Sequence, residues 1–168
     1  MKLEKKQKFI STLDAHKKII YKIVNSYCPN KENRKDLEQE IIIQLWNTFD
    51  RYDPQYKYST WMYRIALNVA ISYYRKEKKG LVKTDFYNEE SVYTIADEQE
   101  YDTSLDINIS LLQDFIDKLN ALNKAMLLLY LEEKSYEEIA AILGITKTNI
   151  ATKISRLKQQ LKKEFKNR

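Results

Sequence analysis

The stretch YKYSTWMYRIALNVAISYYRKEKK, residues 56–79, interleaves Tyr56, Tyr58, Trp61, Tyr63 and Tyr74 with Lys57, Arg64, Arg75, Lys76, Lys78 and Lys79. Unstacked bases need π-faces and phosphates need positive charge, so rings set beside cations suit single-stranded nucleic acid. Trp61, Arg64, Asn68 and Arg75 follow one another at steps of 3, 4 and 7 and so share one helical face. Each ring taken alone reads as core or rim packing. The mixture is what points to nucleic acid.

A second candidate lies in EEIAAILGITKTNIATKI, residues 137–154, which holds Gly144, one of only 2 glycines in the chain. SYEEIAAIL reads as a short helix capped by Ser135, with Glu138 three residues on to complete a capping box. Ile139, Ala140 and Leu143 give it an apolar face. Gly144 then suits a helix exit that needs positive φ. Ile145 turns back to the core, Thr146 or Thr148 caps, and a second helix begins with Ile150 and Ile154 on its apolar side. Two helices joined by a short glycine-containing turn form the helix-turn-helix of DNA-binding proteins. Thr146, Lys147, Asn149, Thr152, Lys153 and Arg156 are the candidates for phosphates and base edges of duplex DNA. Lys158, Lys162, Lys163, Lys166 and Arg168 extend the positive charge. A plain helical hairpin with a solvated basic face is the other reading.

A third candidate is RKDLEQEIIIQLW, residues 34–46. The consecutive Ile41, Ile42 and Ile43 span about 200° of a helical wheel and cannot all lie under one narrow stripe. With Leu37, Ile41 and Leu45 facing a core, Ile43 joins Asp36, Gln39, Glu40 and Asn47 outside, as a protein-docking surface. A wide buried face is the alternative.

Little supports an enzyme. The single histidine and single cysteine, His16 and Cys28, have no metal-ligand or triad partner at a recognisable spacing. There is no glycine-rich phosphate loop, and neither a metal nor a cofactor is expected. Glu89, Glu90, Asp97 and Glu98 would hold a cation only loosely if their segment is unstructured. One cysteine forms no internal disulfide, which fits a reducing cytoplasm.

Positioning these surfaces falls to helices. The 168 residues include 43% hydrophobic and 32% charged, but only 2 glycines and 2 prolines, too little turn chemistry for hairpins. Helices are expected over about 3–25, 32–49 and 60–78, the last with Met62, Ile65, Val69 and Tyr73 on its core stripe and Ser59 or Thr60 as cap. Charge divides the chain in three: +8 over residues 1–79, −7 over 80–110 and +4 over 111–168. Two basic modules flanking an acidic linker are the expectation. The longest apolar run, residues 125–131, falls short of the roughly 20 residues of a membrane helix. The N-terminal MKLEKKQKF never reaches an apolar segment, so no signal peptide and no membrane insertion are expected.

DLEQEIIIQLW followed by TWMYRIALNVAISYYRKEKK resembles the second conserved region of bacterial sigma factors. LNKAMLLLYLEEKSYEEIAAILGITKTNIATKISRLKQQLKKEF resembles their fourth. No counterpart of the first and third domains is present, which is the plan of the extracytoplasmic-function (ECF) group of the sigma-70 family. The resemblance implies an all-α protein of two small helical domains, residues 1–79 and 110–168, joined by an acidic linker over 80–109. It implies a cytoplasmic factor that binds core RNA polymerase and directs promoter recognition, melting and transcription initiation. On that reading Asp36, Gln39, Glu40, Ile43 and Asn47 dock on the clamp helices of the large polymerase subunit, and the C-terminal domain meets the flap. Tyr58, Ser59, Trp61, Arg64, Asn68, Arg75 and Lys76 hold the parted −10 strand, with the loop before Ser59 pocketing a flipped base. Thr146 to Arg156 take the −35 element as duplex, and the linker threads toward the RNA exit channel. An anti-sigma factor is an admissible further partner. A helix-turn-helix regulator that never meets polymerase would explain only the C-terminal part.

The chain departs from the family pattern at three places. Asn120 follows Leu119 where a proline is usual, Ala151 replaces a lysine, and Lys153 replaces an arginine. Lysine keeps the attraction to phosphate but lacks the guanidinium fork that reads guanine.

Overall fold

In the computed structural model, residues 1–84 and 103–167 are described. Most of the expected acidic linker, with Glu89, Glu90, Asp97 and Glu98, and also Arg168, lies outside the described residues. All regular structure among the described residues is helical. In order these are α1 (Lys2–Tyr27), α2 (Arg34–Thr48), α3 (Tyr58–Thr84), α4 (Thr103–Lys118), α5 (Ala121–Leu131), α6 (Tyr136–Leu143) and α7 (Lys147–Lys166). Short 3₁₀ turns at Lys31–Asn33 and Phe49–Arg51 flank α2. By proximity the chain divides into two compact units, one built on Met1–Lys78 and one carrying α4, α5 and α7.

In the first unit α1 is one unbroken helix. It stops at Cys28, whose extended backbone (φ −121°, ψ 92°) is what a residue before proline prefers. The Cys28 carbonyl accepts a hydrogen bond from Arg34 Nε at 2.9 Å, which ties the turn to the start of α2. On α2 the stripe Leu37, Ile41 and Leu45 is fully buried, while Ile43 is 56% exposed. The triple isoleucine therefore divides between core and surface, as the wheel requires.

Helix α3 differs from expectation in start and in facing. The Lys57 carbonyl accepts the Trp61 N–H at 3.1 Å, so the helix begins ahead of Ser59 and Thr60, and neither is its cap. Its buried face is Met62, Tyr63, Ala66, Leu67, Ala70 and Tyr74. Ile65, Val69 and Tyr73 sit at the half-buried flank, so the core stripe is turned by roughly a quarter-turn. Ala66 and Ala70 are fully buried within that face, beside Met62 and Leu67, so small side chains share the core with large ones.

In the second unit Phe115, Ile116, Leu119, Leu127 and Leu157 form a core, with Leu112, Leu128, Tyr130 and Leu161 packed around it. Helix α4 begins at Thr103, seven residues ahead of the expected domain start at 110. Asn120, at the usual proline position, caps α5 by accepting the Asn123 N–H at 2.9 Å. A capping side chain thus does the work that a preset φ would do. Between α5 and α6, Glu133 adopts φ 59°, a left-handed exit made without glycine. Ser135 and Glu138 make the expected reciprocal box: the Glu138 N–H donates to Ser135 Oγ (3.1 Å) and the Ser135 N–H to Glu138 Oε2 (2.9 Å). Gly144 has φ +67°, and a Cβ added there would meet nothing within 4 Å.

Because that space is open, the cost of a side chain at position 144 is purely conformational. Gly144→Ala should destabilise the turn between α6 and α7 by about 1 kcal/mol, and Gly144→Asn, which tolerates the left-handed region, by less. Urea unfolding followed by circular dichroism measures both; equal stability of Gly144→Ala and the wild type would contradict the assignment.

Candidate polymerase and nucleic-acid interfaces

The docking candidates on α2 come together. Asp36, Gln39, Glu40, Ile43 and Asn47 are all exposed, at i, i+3, i+4, i+7 and i+11 on the face opposite the buried stripe. Trp46 borders them, 37% exposed. Its ring meets Phe9 edge-on (centroids 5.1 Å, 73°) and carries Lys5 Nζ above it at 4.6 Å. Lys5 also pairs with Asp50. An apolar Ile43 ringed by carboxylates and amides is the composition of a docking hot spot with a polar rim.

The aromatic-basic candidates divide. Tyr63 and Tyr74, counted among the interleaved rings, are core residues; Tyr74 packs edge-on against Tyr27 at 5.8 Å, with Lys78 Nζ over its ring at 4.7 Å. Tyr58 and Trp61 instead remain half-buried at the start of α3. They join Tyr52, which had no periodicity to reveal it. Tyr52 and Tyr58 stack at 4.1 Å with ring planes 16° apart, and Trp61 stands edge-on to Tyr52 at 5.7 Å. Buried Phe49 supports the group, 6.0 Å from Trp61 and 5.3 Å from Phe9.

The loop that delivers Tyr52 is held by its own side chains. Asp53 Oδ1 accepts the Gln55 N–H at 3.0 Å, and the Tyr52 hydroxyl donates to the Tyr56 carbonyl. Beside the rings lies an open groove of about 520 Å³, lined by His16, Tyr52, Pro54, Gln55, Tyr56, Lys57, Tyr58 and Ser59. Arg64 and Asn68 follow Trp61 along the exposed face of α3, as do Arg75 and Lys76 further on. At 1.5 Å per residue, Arg75 lies roughly 20 Å along the axis from Trp61. These cations therefore form a track leading from the rings, not one pocket.

Near the far end of α3, Cys28 is buried, with Sγ 3.7 Å from the Tyr73 hydroxyl, which donates to Glu77 Oε1 at 3.0 Å. Burial, and the hydrogen bonds to Cys28 and Glu77, push the Tyr73 phenol well above its usual range. That network is structural. His16 Nδ1 lies 3.1 Å from the Thr12 carbonyl on its own helix. Among the described residues no cluster of histidine, cysteine and carboxylate side chains could hold a metal ion, and no helix is long and apolar enough to cross a membrane.

On α7, Ile150, Ile154 and Leu157 are buried, whereas Ile145 ahead of the helix is only partly so. Asn149, Thr152 and Arg156 are exposed on the opposite side, with Lys153 half-buried at its edge. Thr146 is the cap, its hydroxyl accepting the Asn149 N–H at 3.3 Å. Lys147 stands apart: at 100° per residue it is well over a third of a turn from Thr152 and Arg156. Its ammonium pairs with Glu137 on α6, a partner that spacing along the sequence does not reveal. Lys158 lies back over the Tyr130 ring at 4.4 Å, so it is partly withdrawn from the basic tail.

These surfaces can be set against known proteins. The Sigma-70 region 2 family matches residues 12–80, and the Sigma-70, region 4 family matches residues 109–161. The ECF RNA polymerase sigma factor SigW of Bacillus subtilis is 27% identical over 172 residues, covering 95% of this chain and 89% of SigW. The RNA polymerase sigma factor YlaC of the same organism is 31% identical over 135 residues, covering 80% of this chain and 78% of YlaC. Among solved structures, the sigma factor RpoE, in complex with the anti-sigma factor NepR from Bartonella quintana, shares the fold. Its TM-score is 0.67 at 23% identity, with 96% of each chain covered. CnrH, in complex with the cytosolic domain of CnrY, likewise gives 0.67 at 17% identity, covering 96% of this chain and 90% of CnrH. A regulator built on a lone helix-turn-helix would leave residues 12–80 unexplained. The chain belongs to the sigma-70 family of bacterial RNA polymerase sigma factors, in its extracytoplasmic-function group, and as such directs promoter-specific transcription initiation.

Proposed function

We propose that the chain divides initiation among three surfaces. The α2 face of Asp36, Gln39, Glu40, Ile43 and Asn47 docks on the clamp helices of the large polymerase subunit. Tyr58, Ser59, Trp61, Arg64, Asn68, Arg75 and Lys76, with Tyr52 added, hold the parted −10 strand. Thr146, Lys147, Asn149, Thr152, Lys153 and Arg156 contact the −35 duplex, the second unit meeting the polymerase flap. The groove beside Tyr52 and Tyr58 carries this reading, because a protein that binds only paired strands has no use for half-exposed stacked rings beside a cationic track.

The energetics are consistent. Extruding a base costs a few kcal/mol, and stacking on an aromatic ring returns about 1–3 kcal/mol per base. Lys153 and Ala151 leave the duplex surface without a guanine-reading fork at those positions, so phosphate attraction and Asn149 or Arg156 supply most of the grip. Sigma factors are not enzymes, and no catalytic role is assigned to this chain. It acts where polymerase is, in the cytoplasm. That RpoE and CnrH were each solved with a bound partner supports an anti-sigma factor as a regulator here.

Permanganate footprinting of promoter opening, with purified core polymerase and a promoter selected from a random library, tests the division. Trp61→Ala should lower opening by roughly five- to a hundredfold, and Arg64→Ala with Arg75→Ala by less, while duplex binding stays near wild type. Equal losses in both assays would contradict the strand-holding role. Gln39→Ala combined with Ile43→Ala should weaken core polymerase binding by about tenfold or more with helicity intact, since neither residue touches the buried stripe. Unchanged polymerase affinity would remove α2 as the docking face.

A further inference from the structure

The Glu137–Lys147 pair has no evident task in holding the second unit together. Both side chains are largely exposed, at 64% and 59%. The turn between α6 and α7 is already secured by Gly144, the Thr146 cap and the Ser135–Glu138 box. Exposed ion pairs add little to folding stability. Glu137 nevertheless places a full negative charge at the first turn of α6, and its carboxylate lies in contact with the first residue of α7. Helix N-termini favour anions, and at α7 that place is wanted by a DNA phosphate. A lysine on its flexible four-carbon stem can meet a carboxylate or a phosphate at this position.

We infer that Glu137 is a built-in competitor for DNA phosphate: it occupies Lys147 in the free protein and weakens duplex binding of every sequence alike. This rests on α7 being the duplex-binding helix. The carboxyl group of Glu137 is held below the usual carboxylate range by its hydrogen bond to Lys147, so it stays charged wherever the protein meets DNA. Docking α7 must break the ion pair or leave Lys147 unused, and either course raises the cost of a sequence-independent encounter. The −35 grip then depends more heavily on a second contact supplied elsewhere on the promoter.

The test measures binding of the full-length chain to a fluorescent mixed-sequence duplex across a salt series. Glu137→Gln should tighten binding by about two- to fivefold at low salt, the range expected for releasing one exposed pair. The gain should shrink as salt screens the charges. In the Lys147→Gln background the Glu137→Gln gain should largely disappear. A Glu137→Gln protein that binds like wild type would overturn the inference. So would a gain that persists undiminished without Lys147, which would reduce the effect to net charge. Absence of duplex binding by the wild type at any salt would instead bring down the reading of α7 itself, and this inference with it.

Discussion

Everything on the first unit depends on how Phe49 is packed. This buried ring closes the end of α2 and meets Phe9 of α1 edge-on, while Tyr58 and Trp61 of α3 lie against it. A ring in that position ties three helices together and also limits how deeply its neighbours can sink. Tyr58 and Trp61 are held but not enclosed, and Tyr52 is stacked where it can meet solvent. Edge-to-face contacts suit this purpose, since each is worth about 0.5–1.5 kcal/mol beyond area burial and fixes ring orientation. Phe9 extends the same lattice to Trp46 beside the docking face. The proposed docking face and the proposed strand-holding rings thus share one aromatic support.

The second unit solves a different problem. For the duplex-reading role proposed for α7, the helix must be open on its outer side and secure at its start. Its security comes from local devices: the reciprocal Ser135–Glu138 box, the left-handed Gly144 and the Thr146 cap. None of these uses an outer side chain of α7: the Thr146 cap takes only the backbone N–H of Asn149, so the Asn149 and Arg156 side chains play no part in them. Thr152 donates only to the Thr148 carbonyl one turn back, at 3.0 Å. On the proposed division each small surface binds weakly alone, and polymerase joins the two contacts by fixing their spacing.

Local signals were legible in the sequence wherever one residue type has one physical job. Gly144, Ser135 with Glu138, and the division of Ile41 from Ile43 each follow from backbone or wheel geometry and appear in the structure as read. What escaped the sequence depended on long-range packing. The core face of α3 includes Ala66 and Ala70, which a ranking by hydrophobicity passes over. Tyr52 joined the candidate strand-binding rings from a loop, where no periodicity marks a partner. The Glu137–Lys147 pair links two helices across a turn, and Asn120 as a cap reveals why the missing proline is tolerated. The start of α4 at Thr103 also lay in a segment whose acidic composition suggested linker.

On the proposed division, the two nucleic-acid surfaces cooperate only when polymerase spaces them. The direct measurement compares four DNAs, the selected promoter intact, with either element scrambled, and with both scrambled, binding to the chain alone and to its complex with core polymerase. The account predicts that the complex favours the intact promoter over either singly scrambled DNA by roughly a hundredfold or more, while the free chain shows no such surplus. A free chain with the same surplus, or a complex whose two contacts merely add, would contradict it.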